Sequence, residues 1–356
     1  MNNQSGFAIS SLLARIRYPD IEKLAPAYFG MVMATGIVAL AANQIGLRWI
    51  SWGLFGIGWT TYAVLWVLTV LRIVRFPRLV FADLIDHLRG PGFFTFVAAT
   101  AILGSECVVL LGWISFGIAL WIVAALLWLV LTYTIFTALT VKENKPTLDR
   151  GISGAWLLAV VATQSIAVLA ALLAAQLGQP FQLHLNFIAL SMWLWGGMLY
   201  IWLMTLIFYR YTFFPFSPSD LSPPYWINMG AMAISTLAGS LLIENAAHAR
   251  FLESVAAFTR GFTILFWATG TWWIPMLLIL GVWRHGYKRF PLTYDPLYWG
   301  AVFPLGMYAV ATYRMEQAFG FDFLTPLATG FAILALGAWL LTFVALARVL
   351  LRRSSG

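Results

Sequence analysis

Residues 296–314 read PLYWGAVFPLGMYAVATYR, an apolar helix with a Phe-Pro pair, Phe303 and Pro304, near its middle. Four other stretches share its opening. Pro26, Pro91, Gly154, Pro224 and Leu297 each begin an apolar run, and an aromatic follows two residues later: Tyr28, Phe93, Trp156, Trp226 and Trp299. The aromatics stand 65, 63, 70 and 73 residues apart, the signature of one unit repeated five times. Aligned on them, the copies hold Thr35, Thr100, Thr163, Ala233 and Gly306 seven residues further on. Three residues earlier stand Val32, Val97, Val160, Gly230 and Phe303, and four later Ala39, Gly104, Ala167, Leu237 and Val310. Positions i, i+3 and i+7 share one helix face, so each copy carries a stripe of mostly small residues, with one large ring in the fifth.

Composition sets the solvent. Of 356 residues 62% are hydrophobic and 10% charged, and the mean hydropathy is +0.85. A water-soluble surface needs far more charge, so the chain is an all-α polytopic membrane protein. The net charge of +8 does not indicate nucleic acid, because the bases lie between apolar runs and no basic soluble domain exists. Ten runs reach the roughly 20 residues that a bilayer core requires. They lie near 26–46, 50–72, 92–112, 114–139, 154–175, 185–209, 225–245, 261–283, 297–318 and 325–347. A tail of residues 1–25, a transmembrane domain of 26–347 and a tail of 348–356 follow from these bounds, with the first span as targeting signal. Of the 21 Lys and Arg residues, 17 fall on the side of the termini and three on the other, which makes both termini cytoplasmic.

The two helices of each hairpin differ. Even-numbered spans hold 13 of the 18 Trp and no charge in their apolar cores, as lipid-facing helices would. Odd-numbered spans carry the stripe and also Glu106, Glu244, Arg314 and Glu316, groups that avoid lipid. The expected architecture is therefore ten helices as five hairpins with pseudo-five-fold symmetry, odd spans inside, around a central pore. Val32, Thr35, Ala39, Val97, Thr100, Gly104, Val160, Thr163, Ala167, Gly230, Ala233, Leu237, Gly306 and Val310 would line it. Phe303 would project into the lumen as a hydrophobic gate aimed by the Pro304 kink, or else pack between helices. The hydroxyls of Thr35, Thr100, Thr163, Ser165 and Ser235 would either contact a passing anion weakly or bond their own i−4 carbonyls. Glu106 is either a proton-coupling acid or a structural carboxyl, with no base at i±4. An ion pair with Glu244 is the simpler account of Arg314 and Glu316.

Other chemistry finds little support. His87, His184, His248 and His285 stand at helix ends or in loops, and Cys107 is the single cysteine, so neither a metal site nor a cofactor is expected. Residues 81–87, FADLIDH, suggest a short interfacial helix before a hydrolytic site. The chain is not expected to be an enzyme.

The stretches PAYFGMVMATGI at 26–37, PGFFTFVAATAILG at 91–104, PPYWINMGAMAISTLAG at 223–239 and YWGAVFPLGMYAVAT at 298–312 resemble the tellurite-resistance/dicarboxylate transporter family. That family includes the plant guard-cell slow anion channel, the bacterial tellurite-resistance channel, the fungal malate permease and the fungal sulfite pump. The resemblance implies small anions as substrate, the ten-helix pore, a homotrimer with one pore per protomer in the plasma or inner membrane, and a gate phenylalanine at Phe303. The PPYWIN segment is closer to the sulfite and malate branch, and the long phosphorylated tails of the plant members are missing. An anion channel or uniporter is thus the first expectation. A proton-coupled exporter of sulfite or a C4-dicarboxylate, with Glu106 carrying the proton, is the second.

Overall fold

The computed structural model describes residues 21–247 and 249–354. His248, the tail up to residue 20 and the last two residues lie outside this range. The described residues form helices and turns with no strand. Ten long helices dominate: α1 (Gly30–Gln44), α2 (Arg48–Arg75), α3 (Phe94–Leu111), α4 (Ile114–Val141), α5 (Leu158–Ala174), α6 (Phe181–Phe213), α7 (Ile227–Ala246), α8 (Ala256–Val282), α9 (Trp299–Phe319) and α10 (Thr325–Ser354). The even helices outrun their expected spans, and α10 continues through residues read as a tail. Among the described residues nine segments are long and apolar enough to cross a membrane, and α9 is not one of them. Its Trp, Tyr, Gly and Pro residues, with Arg314 and Glu316, lower its apolarity.

The repeat has a local cause. Each odd helix is entered through a 3-10 turn: Pro26–Phe29, Gly90–Phe93, Gly154–Leu157, Pro223–Trp226 and Pro296–Tyr298. Proline occupies the first turn in four of them, where its fixed φ suits the helix and its missing N–H costs nothing. The repeating aromatic lies in that turn or, for Trp299, just after it. At the opposite end Gly46, Gly112 and Gly320 reverse the chain with positive φ, the conformation glycine adopts most cheaply at a helix C-terminus.

Packing is cyclic. α1 packs on α3, α3 on α5, α5 on α7, α7 on α9, and α9 back on α1. Among the described residues no two non-adjacent members of this ring make a comparable contact, so five helices surround an axis. The five entry turns also contact one another in the same cyclic order. The even helices lie outside: 17–44% of their most apolar windows is buried, against 78–94% for α1, α3, α5 and α7 with their entry turns.

Two sets of polar contacts bind the outer helices to the ring. In the first, a base near the end of an even helix donates to a carbonyl just before its own hairpin. Arg72 reaches Glu22 O, Lys142 reaches Ile85 O, Arg210 reaches Asp149 O, and Arg284 reaches Leu221 O. In the second, an aromatic on each even helix bonds the inner helix of the next hairpin. Tyr62 meets Thr100 at 2.7 Å, Trp128 donates to Thr163 at 2.8 Å, Trp193 to Ser235 O at 2.8 Å, and Trp267 to Thr312 at 3.1 Å. Trp339 closes the circle on Thr35 at 2.9 Å.

Candidate functional site

Beneath the five entry turns lies a chamber of about 820 Å³. Its inner wall comes from all five odd helices: Gly30 and Met33, Thr95, Leu158, Ile227, and Gly300. Five helix N-termini therefore converge on it, each contributing partial positive charge and unpaired N–H groups. Lys23, Arg89, Arg150 and Arg210 add full positive charges, opposed by Asp149, Asp220 and Asp295.

Much of this charge, acidic and basic, is already paired. Asp220 is 3.2 Å from Arg210 and accepts from the Ser217 amide and hydroxyl. Burial alone would raise its carboxyl, but the Ser217 hydrogen bonds and the Arg210 guanidinium outweigh that and hold it below the ordinary aspartate value. Asp295 caps the ninth helix through the Leu297 amide at 2.8 Å. Arg89 leans on Asp83 at 3.1 Å, the same carboxylate that holds buried Arg72 at 2.6 Å. Asp83 is therefore the hub of a structural ion cluster. This removes the hydrolytic reading of residues 81–87, whose helical part is Pro77–Leu84. Nearby, burial and then the Lys142 charge lower the His87 imidazole below its usual value, so it is neutral at pH 7.

On α9 the lining of the chamber ends at Gly300, and Phe303 lies three residues further along the same face. Phe303 is fully buried. Pro304 removes the amide that would pair with the Gly300 carbonyl, and its ring fills the place of a side chain at Gly230: a Cβ there would lie 2.8 Å from the Pro304 Cγ.

The stripe read from the sequence lies for the most part deeper than the chamber: all fourteen of its members are buried, and none is among the residues that line the chamber. The hydroxyls of Thr35, Thr100 and Thr163 are bound to outer helices through Trp339, Tyr62 and Trp128. Gly104 meets Leu169 and Leu120, Gly230 meets Pro304, and Gly306 meets Ile37 and Val38. For these six, then, the contacts are with neighbouring helices, which the small side chains bring close. Val32, Ala39, Val97, Val160, Ala167, Ala233, Leu237 and Val310 share that burial. Thr100, Thr163, Ser165 and Ser235 bond their own i−4 carbonyls, which is the second of the two roles open to them. Thr95, Leu158, Ile227 and Gly300 escaped notice because the stripe begins four residues after each entry aromatic and these lie one or two after it; Met33 falls between two layers of the stripe.

Glu106 is fully buried in α3, and neither carboxyl oxygen has a hydrogen-bond partner. At the far end Arg314 lies 3.5 Å from Glu244, as the ion-pair account requires, while Glu316 accepts instead from Thr325 at 2.8 Å. No group of three His, Cys, Asp or Glu suited to a metal occurs among the described residues.

A ring built mostly of helices apolar enough to cross a membrane, with a chamber where five helix N-termini converge, defines a polytopic membrane protein. Residues 23–347 match the family described as voltage-dependent anion channel, and the chain belongs to it. An uncharacterized transporter of Methanocaldococcus jannaschii is 24% identical over 335 residues, covering 91% of this chain and 94% of that one. An uncharacterized membrane protein of Mycobacterium tuberculosis H37Rv is 38% identical over 148 residues, 42% of this chain and 75% of its own.

Proposed function

We propose that this protein is an anion channel or uniporter of the plasma or inner membrane, passing small inorganic or organic anions along the axis of the odd-helix ring. Phe303 is its gate. The carrying observation is that the chamber's lining on α9 ends at Gly300 and the next residue on that face, one turn along, is the fully buried Phe303 ring. An aromatic at a lumen's narrowest point blocks it by bulk and by dewetting. The stripe from Val32 to Val310 shapes the lumen by setting how closely the helices approach, and its apolar members border the passage.

The chamber faces the cytoplasm, with both termini, since that side holds 17 of the 21 bases. Converging N-termini and rim cations concentrate anions there without a deep binding site to hold them. An inside-negative potential, worth about 2.3 kcal/mol per charge per 100 mV, then drives them outward. Assembly as a homotrimer, one pore per protomer, follows the family resemblance.

The test is an anion panel of chloride, nitrate, sulfite and malate on wild type and Phe303→Ala in planar bilayers. Conductance to at least one anion should rise about tenfold or more, as expected for a barrier lowered by about 1.4 kcal/mol. Equal currents would remove the gate. The second reading, a proton-coupled carrier of sulfite or a C4-dicarboxylate, is favoured by one observation, the unpartnered burial of Glu106. It requires that flux stop without a pH gradient and in Glu106→Gln.

A further inference from the structure

We propose that Glu106 is a proton-binding site set in the seam between α1 and α3, and that its ionisation parts those two helices. The seam is built around this carboxyl. A Cβ on Gly36 of α1 would lie 2.8 Å from Glu106 Oε2 and 2.7 Å from Ile102 Cγ2, so only glycine admits the acid here. Both carboxyl oxygens are buried without a hydrogen-bond partner.

The neighbouring elements bring little charge to the carboxyl. α1 and α5 carry no titratable side chain, and α4 carries only Tyr133. α2 carries Arg48, Tyr62, Arg72 and Arg75. Tyr62 is bound to Thr100, Arg72 to Glu22 and Asp83 at the chamber end, and Arg48 and Arg75 stand at the exposed ends of the helix. The entry turn before α1 adds Tyr28, and α3 itself adds the buried Cys107. Among the described residues no cation pairs with the carboxyl.

A buried carboxylate without a cation or donor is expensive, so the packed seam accommodates the acid with its proton on. When the proton passes to water, the carboxylate requires donors of its own. Gly36 presents only backbone to the carboxyl, so parting α1 from α3 there admits water to it. The α1/α3 contact is also the least extensive of the five in the ring, so it is the seam that yields with least loss of packing. Because the packed form binds a proton that the parted form releases, rising pH shifts the balance toward parting. The ring around the axis widens as a result.

Cys107 reports on this directly, as the only cysteine in the chain and fully buried beside Glu106. The experiment measures alkylation of full-length protein in lipid nanodiscs by N-ethylmaleimide from pH 6 to 9, in wild type and Glu106→Gln. Thiol ionisation accelerates both, and in wild type a Glu106 carboxylate beside the thiol opposes it, so a rising ratio reports opening of the seam and not thiol chemistry. The wild-type to variant rate ratio should climb about tenfold across the range, equivalent to about 1.4 kcal/mol of bias on the seam. A ratio that stays flat overturns the proposal. Gly36→Ala supplies a second arm: its methyl wedges the seam, so a protein that elutes as folded should label rapidly even at pH 6. Slow labelling there would overturn the assignment to the seam. Phe303 takes no part in this readout, so loss of the gate reading would show in the conductance of Phe303→Ala and leave the labelling result standing.

Discussion

The two sets of contacts that tie outer helices to inner ones do the same work with different chemistry. At the chamber end, charged side chains close four of the hairpins on themselves, as when Arg72 binds Glu22 O and Asp83. Deeper in, neutral aromatics join each hairpin to the next, as when Trp339 binds Thr35. The division follows the solvent. Ions can be afforded where water reaches, whereas an indole N–H or a phenol is satisfied inside lipid by a single hydroxyl or carbonyl. Cyclic order therefore depends on neutral bonds, and hairpin closure on ionic ones.

The largest test of that contrast is Asp83→Ala. It leaves Arg72 buried without its counter-charge, and thermal unfolding in detergent should show a loss of about 3–5 kcal/mol. Next comes Gly230→Ala, which touches neither set but presses on the rigid Pro304 ring 2.8 Å away. Overpacking of this kind should cost about 1–3 kcal/mol in the same assay. Trp339→Phe keeps the ring and deletes the N–H that closes the cycle, for about 1 kcal/mol. A double-mutant cycle with Thr35→Val should recover that coupling, and additive losses would mean the bond contributes nothing.

The smallest effect is a pH response. The lowered Asp220 carboxyl adds stability that is full above the unfolded aspartate value of about 3.9 and is lost as pH falls through its folded value. Acid melting of wild type should thus exceed that of Asp220→Asn below about pH 4. The aromatic contacts contain no group that titrates there, so Trp339→Phe should not alter the acid limb.

Much of this was open to a reader of the sequence. Five aromatics at near-equal spacing, small residues on odd spans and Trp on even ones carried the hairpins and the inside-outside division, because lipid sorts side chains before any specific contact forms. The bases at helix ends were legible as orientation signals, but their carbonyl partners belong to connectors whose position only the packed ring decides. What the stripe borders was less legible. Small residues mark where helices approach, and in a ring that is the side facing a neighbour as much as the side facing the axis. Glu106 was legible as unpartnered along its own helix, whereas its fit against Gly36 required two helices to meet.

One consequence reaches back to biogenesis. α9, the span bearing Phe303, is not among the helices apolar enough to enter a bilayer by composition alone, yet α7, α1 and α10 enclose it. Such a segment gains little by leaving the translocon for lipid by itself. It is expected to insert as a passenger of helices already in place, so the residue proposed to shut the pathway would reach its post only after most of the wall around it has been built.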